Sequence, residues 1–418
     1  MAIGYACLTI GVPGTSLSSC TLKNATQDHI RALILKNLTA LEAMVDYNIS
    51  QGIRLYRISS DLIPFGSHPV NQVEWWSEYE DRFKLLGAKI TQAGLRVSMH
   101  PGQYTVINSN DPSVVDRSVA ELCYHAKVMD SLGVDRTNKL ILHIGGVYGN
   151  KTVAMNNFIR EYACLPEKVR SRLVIENDER CFNISEVLEI SQACGAPVVF
   201  DNLHHHINSS LPTRTDPEWI RLCRDTWKPE DGRQKIHYSQ QKELSPPGSH
   251  SETIFLKPFM EYYKQLGEAV PDIMLEVKDK NLSVMKCNHA VIHASPAKKL
   301  EAEWARYKYY ILSKDARAYQ AIRELLKDKE ARVAKEFYDI IEKAYQLSEN
   351  TGAEVNAAQH VWGYISKDAS TAEKKRYERL MEDYTKGTAS ISSLKKHILK
   401  CADLRSLDYL TWSLYFYL

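Results

Sequence analysis

The sequence predicts an α/β fold: a (β/α)₈ TIM barrel followed by a smaller all-α C-terminal domain. Three observations carry that expectation. Short apolar runs recur at about 3–10, 53–59, 95–100, 139–144, 172–176, 196–201, 235–239 and 272–277. Amphipathic stretches such as 28–49, 74–93, 113–132, 183–194 and 253–268 lie between them. This alternation is the pattern of parallel strands joined by crossover helices. Eight such repeats in the first 290 or so residues match the usual size of a closed barrel. Polar side chains close at least six of the runs, and barrel enzymes place their chemistry at those strand ends, which an open doubly wound sheet would not require.

Within 28–49, Ile30, Leu33, Ile34, Leu38, Leu41, Met44 and Val45 follow helical spacing. Beyond about residue 295 no clear strand is evident, and helical periodicity runs through 316–328, 331–348 and 353–366. Residues 301–418 hold 12 of the 23 tyrosines with 20 basic and 18 acidic side chains, a mixture that suits a helical domain with aromatic packing. The expected division is therefore 1–295 for the barrel and 296–418 for the helical domain. No apolar run approaches bilayer-spanning length, so no membrane association is expected. The N-terminal MAIGYACLTI reads as a first strand rather than an export signal. Nine scattered cysteines without a Cys-x-x-Cys pair fit a reducing cytoplasm better than a disulfide framework. A net charge of +2 leaves any phosphate-binding surface to a local patch.

Seven side chains stand out at strand ends: His100 after LRVSM, His143 after KLIL, Glu176 after RLVI, Asp201 after PVVF, His204 three residues on, His237 in KIHYS and Glu276 after IML. Burying an imidazole or carboxylate without a partner is costly. Several in series therefore imply convergence, and a mixture of oxygen and nitrogen donors suits a cluster of two or three divalent cations. A lone strand histidine such as His143 is more often a satisfied core group, but Asp201 and His204 in VVFDNLHHH form the strongest local signal. Gly145 and Gly146 allow close backbone approach by a ligand. Strand periodicity puts Lys235 on the same face as His237. A cation there would be repelled by metal ions, so Lys235 is either a phosphate contact held away from them or an amine converted by CO₂ to an anionic carbamate. His250, in SPPGSHSE, lies in a polar loop able to swing over the mouth. Gln103 and Tyr104 follow the Pro101-Gly102 turn and would project above it. A Gln beside an aromatic can bond a base edge and fill a gap in a base stack, although alone the pair reads as ordinary surface loop.

Taken in order, GYACLT, ISSDLIPFGSH, SMHPGQYTVINS, LILHIGG, LVIEND, VVFDNLHHH, KIHYS and MLEVKDK resemble the UV damage endonuclease family over about residues 1–290. The endonuclease IV group of apurinic-site nucleases is a more distant likeness. The resemblance implies a barrel nuclease with three divalent metal ions, usually Mn²⁺, with Mg²⁺, Zn²⁺ or Co²⁺ as alternatives. It would nick UV-damaged double-stranded DNA immediately 5′ to a photoproduct, leaving a 3′-hydroxyl and a 5′-phosphate. By the same resemblance His100, His143 and Glu176 hold one ion. Glu176, Asp201, His250 and Glu276 hold the second, and His204, Lys235 and His237 the third, with Lys235 carboxylated. Glu176 and Lys235 then stand at the catalytic centre. Gln103 and Tyr104 match a pair that wedges into the duplex, Tyr5 a residue lining the lesion pocket, and His68 a supporting or phosphate-contacting group. At Thr9 the chain departs from the family, which has an asparagine near the lesion. Residues 300–418 resemble a helical domain of unknown function found alone or fused to DNA-repair proteins.

Two other classes compete. A divalent-metal sugar isomerase or epimerase of the same barrel class would use about two ions and a closed pocket, and would have no use for the set His204, Lys235 and His237. A non-catalytic damage-binding module would bind irradiated duplex without nicking it when Mn²⁺ is added.

Overall fold

The computed structural model describes residues 1–292 and 295–418. Eight parallel strands form the first part: β1 (Ile3–Ala6), β2 (Leu55–Arg57), β3 (Arg96–Met99), β4 (Lys139–His143), β5 (Leu173–Glu176), β6 (Val198–Val199), β7 (Lys235–Tyr238) and β8 (Asp272–Leu275). Their order is β6-β5-β4-β3-β2-β1-β8-β7. The remaining gap is bridged by Asp201 beside His237, where the His237 N–H donates to the Phe200 carbonyl at 2.9 Å. The result is the (β/α)₈ barrel that the alternation of apolar runs and amphipathic stretches predicts.

Helices cross outside the strands, among them Gln27–Ser50, Glu80–Gln92, Pro112–Ser131, Lys151–Cys164 and Ile184–Cys194. Local signals set their ends. Thr26 caps the first by accepting the His29 N–H, Asp111 caps the third ahead of Pro112, and Asn183 with Glu186 forms a reciprocal capping box. The helix Glu80–Gln92 approaches its neighbour so closely at Gly87 that a Cβ there would land on the Leu132 carbonyl. Gly87→Ala should therefore cost about 3 kcal/mol, because the obstacle is backbone and cannot rotate away; a chemical denaturation midpoint unchanged from wild type would refute it.

At the N-terminal ends of the strands, ion pairs link neighbouring parts of the barrel. Lys139 opens β4 and binds Asp231 at 2.5 Å, while Arg96 opens β3 and reaches Asp272 of β8 at 3.2 Å. Apolar residues such as Ile141, Val174 and Val199 pack as a cluster in the strands. The polar residues of interest gather at the other end.

The chain divides into two compact units, the barrel unit of residues 1–9, 14–254 and 261–284 and a second of residues 10–13, 255–260 and 285–418. The helices Ala297–Lys314, Ala316–Leu325, Ala334–Tyr345, Thr351–Trp362, Thr371–Thr385 and Ile391–Asp403 make up most of it. Its core includes Ala357, Val361, Ile365, Leu394 and Ile398. Trp362 stacks on Tyr377 with ring centroids 4.2 Å apart. Tyr310, Tyr338, Tyr377, Tyr384 and Tyr415 are buried packing groups, whereas Tyr364 and Tyr409 are exposed. No helix among the described residues is long and apolar enough to cross a membrane.

Candidate metal centre

Glu176, the last residue of β5, sits at the centre of the C-terminal rim. Its Oε1 accepts from His237 Nδ1 at 2.6 Å and lies 3.9 Å from His204 Nδ1. Its Oε2 is 3.2 Å from His100 Nε2 and 3.8 Å from His143 Nε2. Three donor groups result, each with ligand atoms within 4.8 Å of one another: His100, His143 and Glu176; Glu176, Asp201 and His204; Glu176, His237 and Glu276. Glu176 belongs to all three. The first group coincides with the one the resemblance implies. The others are distributed differently, since His204 lies with Asp201 and Glu176, and His237 with Glu176 and Glu276. His250 stands further out, its Nε2 3.8 Å from Glu276 Oε2.

The Asp-x-x-His spacing has a second meaning. Asp201 is the N-cap of a short helix, Asn202–Ile207, and its Oδ1 accepts the His204 N–H at 2.8 Å. The capping bond fixes the carboxylate and leaves Oδ2 buried without a hydrogen-bond partner. The ring of His204 is turned so that Nδ1 faces the Asn177 carbonyl at 2.9 Å. The same Nδ1 lies 3.8 Å from Asp201 Oδ1, while Nε2 is turned toward Glu179. Likewise His100 Nδ1 meets the Pro101 carbonyl at 3.0 Å while Nε2 faces Glu176. Asn177 locks the neighbouring strand ends by exchanging two hydrogen bonds with the Asp201 backbone.

The electrostatics are those of a site built around positive charge. Burial holds His100 and His237 well below the usual imidazole range and brings His143 down to about 4, so these rings are neutral donors. Burial and the nearby Glu276 raise Glu176 well above the ordinary carboxylate range, and burial raises Asp201. At His204 burial is outweighed by Asp201, Glu176 and Glu276, which lift the imidazole to about 9. At Glu276 burial favours the acid, but Arg57 and the histidines hold it well below the usual range. Neutral imidazoles, crowded carboxylates and an orphaned Asp201 oxygen fit divalent cations, which need mixed nitrogen and oxygen donors and displace such protons on binding.

Two residues that the sequence reading did not single out belong here. Arg57, the last residue of β2, is buried and donates to Glu276 Oε1 at 2.6 Å and to His237 Nε2 at 2.9 Å. It ends a strand as the candidate ligands do, but a basic side chain does not register in a search for donors to a cation. Glu179 places Oε2 3.7 Å from His204 Nε2. Behind the rim, Ser60 donates to the His100 carbonyl at 2.9 Å and is itself met by His125 Nε2 at 2.8 Å.

The other expected residues fall in three places. Lys235 opens β7 and is fully buried, and burial holds its amine well below the ordinary lysine range. No carboxylate among the described residues is within ion-pair distance of it. Gln103 and Tyr104 project from the loop after His100, with Tyr104 73% exposed. Tyr104 and the exposed His68 line one cavity of about 850 Å³ with Phe65, Arg117 and Tyr124. His68 is apart from the donor groups, its Nδ1 accepting the Val70 N–H. Tyr5 requires a correction. It is fully buried, its ring 5.1 Å from that of Tyr56 and its hydroxyl bonded to Thr9 at 2.8 Å. In this conformation it supports the wall from behind and offers no surface to a nucleotide.

A barrel whose C-terminal rim gathers imidazoles and carboxylates about one shared glutamate defines a TIM-barrel protein with a candidate polynuclear metal site. The chain belongs to the UV-endonuclease UvdE family, whose model matches residues 2–303. A protein of Clostridium perfringens (strain 13 / Type A) named UV DNA damage endonuclease is 36% identical over 406 residues, covering 95% of this chain and 97% of its own. One of the same name from Bacillus cereus (strain Q1) is 30% identical over 283 residues, covering 67% of this chain and 88% of its own. The crystal structure of SacUVDE superposes with a TM-score of 0.66 at 35% identity, covering 70% of this chain and 98% of that one. Residues 308–418 match a separate family described only as a protein of unknown function, DUF1722.

Proposed function

We propose that the protein is a UV damage endonuclease that hydrolyses the DNA phosphodiester bond immediately 5′ to a pyrimidine photoproduct, leaving a 3′-hydroxyl and a 5′-phosphate, with three divalent cations, Mn²⁺ foremost. The domain division at 295/296 belongs to the same reading, with the nuclease on the N-terminal side. The observation that carries it is the meeting of His100, His143, Glu176, Asp201, His204, His237 and Glu276 at one rim, in a chain of the UvdE family. Bound divalent cations supply an activated water at neutral pH and charge neutralisation on the phosphate oxygens.

The protein's own groups supply the rest. Glu176 offers both oxygens to the centre, and Asn177 and the Asp201 capping bond fix the neighbouring ligands. Arg57 keeps Glu276 ionised and lies against the ring of His237. We read Lys235 as carboxylated: its nitrogen adds to CO₂ and releases a proton, giving an anionic carbamate in a buried site where Arg96 and Arg57 disfavour the ammonium form. Selectivity follows from deformability, because a crosslinked dipyrimidine stacks and pairs poorly and costs less to extrude than normal nucleotides. Gln103 and Tyr104 occupy the gap that extrusion leaves.

The direct test is incubation with Mn²⁺ and a duplex bearing one defined photoproduct. A single nick 5′ to the lesion, abolished by chelator, is expected; an intact strand refutes the reading. Replacing Gln103 and Tyr104 together with alanine should weaken binding of the damaged duplex roughly tenfold to a hundredfold, the range expected when base stacking is lost, and leave metal content unchanged. Metal analysis beside a binding isotherm checks both, and loss of metal would mean the loop has another role.

A further inference from the structure

Two adjacent loops of the barrel carry the same device, and only one has been given a task. After His100 the chain runs Pro-Gly-Gln-Tyr, and a Cβ on Gly102 would collide with the ring of Tyr104. After His143 it runs Ile-Gly-Gly-Val-Tyr, and a Cβ on Gly146 would lie 2.9 Å from Cζ of Tyr148. Each tyrosine thus folds back over the glycine two positions before it, four or five residues beyond a rim histidine. The two histidines are neighbours, with ring centroids 5.1 Å apart on the hydrogen-bonded strands β3 and β4.

The backbone at Tyr148 is unusual for its residue type. The Val147 carbonyl accepts the Asn150 N–H at 2.9 Å, and the two residues between, Tyr148 and Gly149, have φ of 46° and 82°. That is a turn with both central residues left-handed, where Asn, Asp or Gly is the usual occupant and a bulky side chain is strained. The strain secures no burial, since Tyr148 is 43% exposed. Strained backbone of this kind clusters at functional sites, where surroundings hold it for a purpose. An exposed aromatic face held five residues beyond a rim histidine suits stacking on a nucleobase, which tolerates any base.

We propose that Tyr148 is a second nucleotide-stacking residue, the counterpart of Tyr104, engaging the substrate on the β4 side of the mouth. This rests on the endonuclease reading above. The test uses the full-length Mn²⁺-loaded protein and a duplex with one defined photoproduct. Asparagine fits the left-handed turn, so Tyr148→Asn should keep or raise the melting temperature while KM for nicking rises roughly tenfold to a hundredfold. Tyr148→Phe, which keeps the ring, should retain the wild-type KM. A tyrosine that only packs on Gly146 predicts the opposite pairing, a lower melting temperature with KM unmoved, and that result overturns the proposal. Wild-type protein that nicks no photoproduct overturns the endonuclease reading and this inference with it. An active wild type with indifferent variants overturns the inference alone.

Discussion

Glu176→Gln should abolish nicking and empty the metal centre while making the metal-free protein more stable. Glu176 is the one residue common to all three donor groups. Loss of residues that merely support a ligand typically costs 10–100-fold in metal affinity or activity, so loss of a shared ligand should exceed about a hundredfold. The stability effect has the opposite sign. Burial and Glu276 raise the Glu176 carboxyl well above its ordinary range. A carboxyl easier to protonate in the fold than in the unfolded chain disfavours folding increasingly as pH rises above the unfolded value, until it ionises in the fold as well. Glutamine removes that contribution. Denaturation in chelator at neutral pH should show a higher midpoint for the variant, and added Mn²⁺ should stabilise wild type alone. A variant that retains metal and activity would show that Glu176 is not the shared ligand.

Arg57→Met should destabilise the metal-free protein by about 3–5 kcal/mol, the usual cost of leaving one member of a buried ion pair alone. Arg57 is the strongest of the influences that hold Glu276 well below the ordinary carboxylate range against the effect of burial. The sign here is that of a depressed carboxyl: its contribution is present above the unfolded pKa and is lost as pH falls through the folded one. In the variant that acid-side loss of stability should flatten. On the endonuclease reading, divalent cations held by Glu276 would take over the neutralisation, so the deficit should shrink on adding Mn²⁺. Urea titrations with and without metal measure both effects, and an equal deficit in the two states would rule out a metal role for Glu276.

Strand positions were readable because buried parallel strands are short apolar runs, and each of the eight expected runs contains or overlaps its observed strand. The run 196–201 yields only Val198–Val199, because Asp201 turns the chain into a capped helix. The same spacing therefore serves as a donor pair and as an N-cap, and sequence alone does not separate the two uses. Arg57 stayed hidden for a different reason. Its role depends on meeting Glu276, 219 positions away in the chain. Tyr5 was legible as a strand residue, but which side of the wall its ring faces depends on Tyr56 and Thr9. In the C-terminal unit, the helices Ala297–Lys314, Thr371–Thr385 and Ile391–Asp403 show no clear helical periodicity in the sequence. Their charged and aromatic side chains dilute the apolar periodicity that marks a helix.

The ion pairs of Lys139 with Asp231 and of Arg96 with Asp272 lie at the end of the barrel opposite the candidate metal centre. Metal ions that reach the candidate centre from the C-terminal rim would then share that doorway with the substrate. On the endonuclease reading, a duplex lying across that doorway would trap whatever ions had already entered and shut out those that had not. Loading would have to precede docking, and ion exchange would wait until the nicked strand departs.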